Sequence, residues 1–233
     1  MRVGIMQPYF LPYPGYFSLI AQCDKWVVFD TPQYIRHGWV NRNRVLHPTK
    51  DWQYIGVPLV KHKRGTAIGD IRISNNSDWA GKILHQLEHY RKKAPYYNST
   101  REFLAACFEN KSESLVELNI ELMQKVCASL DIGFDYLVSS RMDIDLDKIQ
   151  GPGDWALVIS EMLGASEYIN PPGGEHLFDK AAFSAAGIDL IIQQYENMSY
   201  PCPGYEYVPG LSIVDAMMWN APEKICEHIR ATT

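Results

Sequence analysis

Residues 85–90, HQLEHY, set His85, Glu88 and His89 at the spacing of the inverted zinc-protease signature, in which two histidines bind metal and the glutamate serves as base. The neighbouring residues argue against that chemistry. On a helix turning about 100° per residue with Ile83 at the centre of the apolar face, both histidines fall on the far side, beside Lys82 and Lys92. Lysines repel a cation, so the expectation is a solvated helix face and no metal.

Residues 37–46, HGWVNRNRVL, are harder to assign to packing alone. In a strand, Asn41 and Asn43 share one face and Arg42 and Arg44 the other, so neither face is an apolar stripe. Asparagine offers a donor and an acceptor together, and arginine a planar fork suited to phosphate or carboxylate. Two readings stand: an edge strand guarded by charge, or a recognition strand for a polar, anionic small molecule. Asp30 and Gln33, just beyond the preceding apolar run, are expected near the same crevice.

Residues 169–178, INPPGGEHLF, follow two prolines with Gly173 and Gly174, whose backbone N–H groups could cradle an anion. The spacing matches neither common phosphate-loop motif, so a plain turn remains the alternative. Glu175 and His176 stand where a following helix would begin and could act on a ligand.

The densest concentration is MQPYFLPYPGYFSLI, residues 6–20. Pro8, Pro12 and Pro14 freeze the turn and reduce the entropy lost on binding. Tyr9, Tyr13 and Tyr16 add rigid amphipathic surfaces with hydroxyls, and Gly15 lets the backbone approach a ligand closely. The competing reading packs the tyrosines against the hairpin of residues 39–60. A preorganised ligand wall that includes Gln7 is the expectation.

These stretches need a frame. Val3 to Met6 and Trp26 to Phe29 are short apolar runs joined through FSLIAQC, which reads as a βαβ unit and predicts a parallel sheet. WVNRNRVL and QYIGVPLV, separated by HPTKDW, read as a hairpin, and Ile71 to Ile73 as a further brief strand. Helices are expected from Asp78 through HQLEHYRKK to Pro95, over 99–110, over 115–130 and over 156–163. FDYLVSS, the end of YINPPGG's preceding run and IDLIIQQYE read as strands, and SIVDAMMW opens the last helix. With no repeat or linker-like break, the architecture expected is one α/β domain over 1–233 with a mainly helical insertion at about 78–130.

Composition limits the function classes. The chain is 46% apolar and 21% charged, as ordinary globular proteins are. Its net charge of −5 speaks against a duplex nucleic acid partner. Five scattered cysteines without a C-x-x-C pair predict free thiols. The opening MRVGIMQP is not a signal peptide and no stretch suffices to span a bilayer, so a cytoplasmic protein is expected, with room for a homo-oligomer.

MQPYFLPYPGYFSLI, VVFDTPQYIRHGWVNRNRV, KAPYY, YINPPGG and PGLSIVDAMMW together resemble the WbqC-like protein family, in that family's order and across nearly the whole chain. Gln7, Pro8, Tyr9, Pro12, Gly15, Tyr16, Asp30, Gln33, Tyr34, Asn41, Arg42, Asn43, Pro95, Pro172 and Gly173 fall on its recurring positions. That family is associated with bacterial O-antigen and related surface-polysaccharide gene clusters, which implies a step in making or decorating a sugar. The opening also looks like that of nucleotidylyltransferase-type proteins, implying a Rossmann-like parallel sheet with an added hairpin. Those proteins carry an H-x-G-H-like pair where this chain has Tyr13, Pro14, Gly15 and Tyr16.

The resemblance implies a transferase that modifies a nucleotide-linked amino sugar, by acyl or aminoacyl transfer and without a cofactor. An ATP-dependent amide ligase and a non-catalytic sugar-nucleotide-binding subunit are the alternatives. Amide formation needs a base and oxyanion donors. Asp30, His37 and His176 are the base candidates. Gln7, Asn41 and Asn43 would position the acceptor or donate to the oxyanion, and Arg42 or Arg44 would hold a diphosphate.

Overall fold

The protein is described from a computed structural model over residues 1–231. Its apolar runs form strands β1 (Arg2–Met6), β2 (Lys25–Val28), β5 (Tyr136–Val138), β6 (Glu167–Asn170) and β7 (Asp189–Ile192), all parallel in one sheet. Between β2 and β5, strands β3 (Arg42–Leu46) and β4 (Trp52–Gly56) form a separate antiparallel hairpin. The order β5-β2-β1-β6-β7 means that the chain winds outward on one side of β1 and then on the other. This is the 3-2-1-4-5 order of a doubly wound sheet.

Helices cover both faces because the strands alternate. Val3, Ile5 and Val27 pack with Ala156 and Ile159 of α5 (Asp154–Met162) and Phe183 of α6 (Lys180–Ala185). Trp26, Val28 and Ile169 point the other way, into a larger core. That core takes in α1 (Pro14–Ala21), α4 (Leu115–Ser129), α7 (Ile213–Trp219) and α8 (Pro222–Ala231). Gly4 is required where β1 passes Trp26, since a Cβ there would lie 2.8 Å from the indole.

Local chemistry sets the helix ends. Pro14 opens α1, where a missing N–H costs nothing. Asp78 caps α2 (Trp79–Gln86) through the N–H of Gly81, and Ser114 caps α4 through that of Glu117. Helix α3 (Tyr97–Cys107) lies between them.

Several elements depart from the sequence reading. The segment at Ile71 to Ile73 makes only isolated bridges, Leu59 to Ile73 and Arg72 to Ser114, because its backbone changes partner after each residue. Helix α2 stops at Gln86 and a 3-10 turn, Glu88–Tyr90, follows. The closing helix is two: α7 ends at Trp219, Asn220 is extended, and Pro222 starts α8. The helix expected to begin at Glu175 and His176 starts only at Lys180 as α6, because those two residues belong to a 3-10 turn, Pro172–Leu177. Among the described residues, no helix is long and apolar enough to cross a membrane.

Candidate functional site

The site begins where β1 ends. After Met6 the chain runs through Gln7 to Tyr13 before α1, and buried side chains from distant elements hold this turn by its carbonyls. Asn119 Nδ2, on α4, donates to Pro8 O at 2.8 Å and to Val40 O at 2.7 Å. Asn43 Nδ2, on β3, donates to Phe10 O at 3.1 Å and Leu11 O at 3.0 Å. Ser212 Oγ donates to Leu11 O at 2.7 Å, and Tyr16 Oη to Gln7 O at 2.8 Å. Leu11 takes a φ of 43°, a left-handed conformation that leucine rarely adopts, and these bonds keep it there.

Held in this way, the turn forms one wall of a cleft of about 540 Å³. Gln7, Tyr9 and Tyr13 line it, with Trp39, Phe29 and Trp155 beside them. The opposite wall comes from β6 and its following turn: Asn170, Pro171, Pro172, Gly173 and Gly174. The opening turn and the PPGG turn therefore face one cavity. It sits at the carboxyl ends of β1 and β6, the neighbours between which the winding reverses, the place where doubly wound proteins bind ligands.

The far wall is also braced. Tyr168 Oη donates to Asn170 Oδ1 at 2.9 Å, and Asn170 Nδ2 to Pro171 O at 2.6 Å. A 3-10 turn, Pro172–Leu177, folds over this carboxamide. Gly174 packs so closely on Asn170 Nδ2 that a Cβ would displace it, whereas a Cβ at Gly173 would meet open space. Burial raises the phenols of Tyr9 and Tyr13 above their ordinary value of 10.0, so both stay protonated donors at neutral pH. The described lining holds no carboxylate, histidine, cysteine, lysine or arginine. Carboxamides, protonated phenols and aromatic faces suit a flat, hydroxylated ligand held by stacking and neutral hydrogen bonds.

The other sequence candidates fall elsewhere. Tyr16 is fully buried among Tyr9, Phe17 and Trp26. The rings of Tyr13 and Tyr195 cover Gly15, so its missing side chain makes room for them and not for a ligand. Asn43 is buried on the turn's carbonyls rather than turned to solvent. Asp30 is buried and fully engaged: Ser139 Oγ and Ser140 N donate to Oδ1, each at 2.9 Å, and Ser140 Oγ to Oδ2 at 2.7 Å. It ties the end of β2 to the end of β5. Arg44 faces the rings of Trp39 and Trp52, 5.2 Å from each.

Gln33, His37, Asn41 and Arg42 gather in a separate groove. Asp30 and Gln33 thus do not share a crevice. His176 is exposed on the 3-10 turn, outside the cleft lining. His85 lies on the solvent side of α2 as expected, but His89 does not. The 3-10 turn swings it against Tyr90 and Tyr205, where Nδ1 is 2.8 Å from Tyr205 Oη. Among the described residues no group of three or more His, Cys, Asp or Glu side chains is placed to hold a metal ion.

Trp39, Phe29, Trp155 and Asn170 were absent from the sequence candidates. Phe29 and Asn170 end apolar runs, and in a parallel sheet the residue after the last buried strand position is a cleft candidate. That signal was present. Nothing local marks Trp39 or Trp155.

A 3-2-1-4-5 parallel sheet with an aromatic cleft at its switch point defines a doubly wound α/β protein. Comparison with known sequences narrows the class. The chain belongs to the WbqC-like protein family, whose pattern matches residues 7–227. It is similar to the uncharacterized protein Rv1507c of Mycobacterium tuberculosis (strain ATCC 25618 / H37Rv), 26% identical over 232 residues, which cover 98% of this chain and 97% of that protein. No solved structure matches it.

Proposed function

We propose that the protein binds a nucleotide-linked amino sugar in the switch-point cleft and transfers an acyl or aminoacyl group to it, as a cytoplasmic step in surface-polysaccharide synthesis. The observation that carries this reading is the pairing of aromatic walls with two carboxamides, Gln7 and Asn170, at the reversal of the sheet. Tyr9, Tyr13, Trp39 and Trp155 offer faces for a base or a pyranose ring, and the carboxamides offer donors and acceptors to hydroxyls. In the reaction, the sugar's amino nitrogen bonds to the acyl carbonyl carbon, the donor's leaving group departs and the nitrogen loses a proton. The phenols of Tyr9 and Tyr13, held protonated, would donate to the oxyanion. The described lining supplies no base, so the nitrogen's proton leaves with the departing group of the donor.

A second reading, a non-catalytic sugar-nucleotide-binding subunit, is favoured by the absence of an acid or base from the described lining. A thermal-shift screen against nucleotide-linked sugars, ATP and free nucleotides tests ligand binding. A ligand at 100 times its Kd stabilises a fold by about 2.7 kcal/mol. A shift selective for an amino-sugar nucleotide, followed by amide formation with an activated acyl donor, supports the transferase. Binding without turnover supports the subunit, and a shift with ATP alone overturns both.

A further inference from the structure

The groove that takes Gln33, His37, Asn41 and Arg42 lies between the loop leading into β3 and the segment after β4. Its volume, about 820 Å³, is within the roughly 300–1,000 Å³ of small-molecule pockets. Five permanent cations line it: Arg36, Arg42, Lys61, Lys63 and Arg64. No Asp or Glu does. Among the described residues none of the five is in an ion pair with a carboxylate. The chain as a whole is acidic, with 27 Asp and Glu against 22 Lys and Arg, so this concentration runs against its average.

A cluster of lysines on a hairpin flank has a plain explanation, protection of an exposed strand. Two features go beyond it. The floor is built: Tyr34 Oη donates to Asn41 Oδ1 at 2.7 Å, and Asn41 Nδ2 donates to Val57 O at 3.0 Å, joining the two sides. Arg42 is also held in place, stacked 3.9 Å over the Tyr54 ring while Nη2 donates to His37 O at 2.6 Å. His37 accepts this geometry in a left-handed conformation, φ 68°. A guard residue needs no such support. On the facing side, a turn through Gly65 (φ 92°) reverses the chain just after Lys63 and Arg64.

A fixed guanidinium on one wall and point charges on the other match a ligand with neighbouring phosphates better than a single anion. The concave shape favours a small molecule over a flat membrane or a duplex. We propose that this groove is a binding site for the diphosphate group of a small phosphorylated ligand, distinct from the switch-point cleft. Trp39, on the same loop as His37 and Asn41, lines the cleft, so one loop borders both sites. A transferase needs a second substrate, and the groove would seat its phosphates. The assignment does not depend on what the cleft binds.

The test is calorimetric titration of inorganic pyrophosphate at fixed ionic strength into the wild-type chain, a Lys61→Ala/Lys63→Ala/Arg64→Ala variant and a Lys82→Ala/Lys92→Ala/Lys111→Ala control with the same change in charge. The expected result is pyrophosphate binding about tenfold tighter than orthophosphate, weakened about tenfold by the groove variant and unchanged in the control. Equal affinity for the two anions, or equal weakening in both variants, overturns the proposal. So does binding of single-stranded RNA or of anionic phosphatidylglycerol vesicles without binding of pyrophosphate. Ile35 and Val60, 62% and 48% exposed at the groove, make the vesicle arm a necessary one.

Discussion

Asn43 reaches from the hairpin to hold the carbonyl of Leu11 at 3.0 Å, in the turn that forms one wall of the cleft. One of the four residues read as a recognition strand is thus part of the scaffold, and its effect on ligand binding is indirect. Replacing it by alanine removes the donor to Phe10 O and leaves Leu11 O with Ser212 Oγ alone, and should lower unfolding stability by roughly 1–3 kcal/mol. Urea denaturation of Asn43→Ala checks this. A variant as stable as the parent would return Asn43 to the role of a ligand contact.

The two glycines of the PPGG turn should behave differently. An alanine at 174 pushes Asn170 Nδ2 out of place, whereas one at 173 meets nothing. Gly174→Ala is therefore expected to weaken cleft binding about tenfold or more, and Gly173→Ala by less than about threefold, since one lost hydrogen bond together with displaced packing is worth more than about 1 kcal/mol. Comparing their dissociation constants for the ligand found in the screen decides it. Equal losses would mean that Asn170 does not position the ligand.

A buried and a half-buried group should give opposing pH dependences of stability. Asp215 lies in the core, where Tyr90 and Tyr200 donate to it, and burial raises its pKa from 3.8 to about 6 against those hydrogen bonds. Its contribution is present below its unfolded value of 3.8 and is lost as pH rises through about 6. His89 is the reverse: burial, then the neighbouring His47, lowers it from 6.5 to about 4. Its contribution is present above 6.5 and is lost as pH falls through about 4. Between these values the slopes oppose each other. Relative to the parent curve, Asp215→Asn should lose stability more steeply on acidification and His89→Phe less steeply, as read from urea midpoints across the range. Parallel curves for all three proteins would contradict this.

The cleft was half legible in the sequence, and the division has a physical cause. Gln7, Tyr9 and Tyr13 stand in a proline-fixed turn after an apolar run, and Gly173 with Gly174 in another, so local signals marked both walls. That the walls meet depends on β1 pairing with β6, a contact between residues more than 160 apart with no local trace. Trp39 and Trp155 arrive by the same long-range route. The alternation in NRNR does not sort the four residues by site: Asn41 and Arg42 line one groove, Asn43 is buried on the turn and Arg44 lies against Trp39 and Trp52. Asp30 misled because its partners, Ser139 and Ser140, come from the end of β5, over a hundred residues away. His89 misled because the break after Gln86 interrupts the helical periodicity on which its placement relied.

Tyr16 should count in stability and not in affinity. Its hydroxyl donates to Gln7 O at 2.8 Å from a fully buried ring, so Tyr16→Phe is expected to cost about 1 kcal/mol of unfolding free energy. Its dissociation constant at saturable ligand should stay within about twofold of the parent, far less than one hydrogen bond to ligand would change it. A tenfold loss of affinity at unchanged stability would place the tyrosine at the ligand.

The most direct measurement of the central claim is hydrogen–deuterium exchange with and without a saturating amino-sugar nucleotide. Ligand in the switch-point cleft should slow exchange in peptides covering residues 7–13 and 171–178 together. Protection confined to peptides over 33–42 and 57–64, or to neither region at saturation, would contradict the cleft as the sugar-nucleotide site.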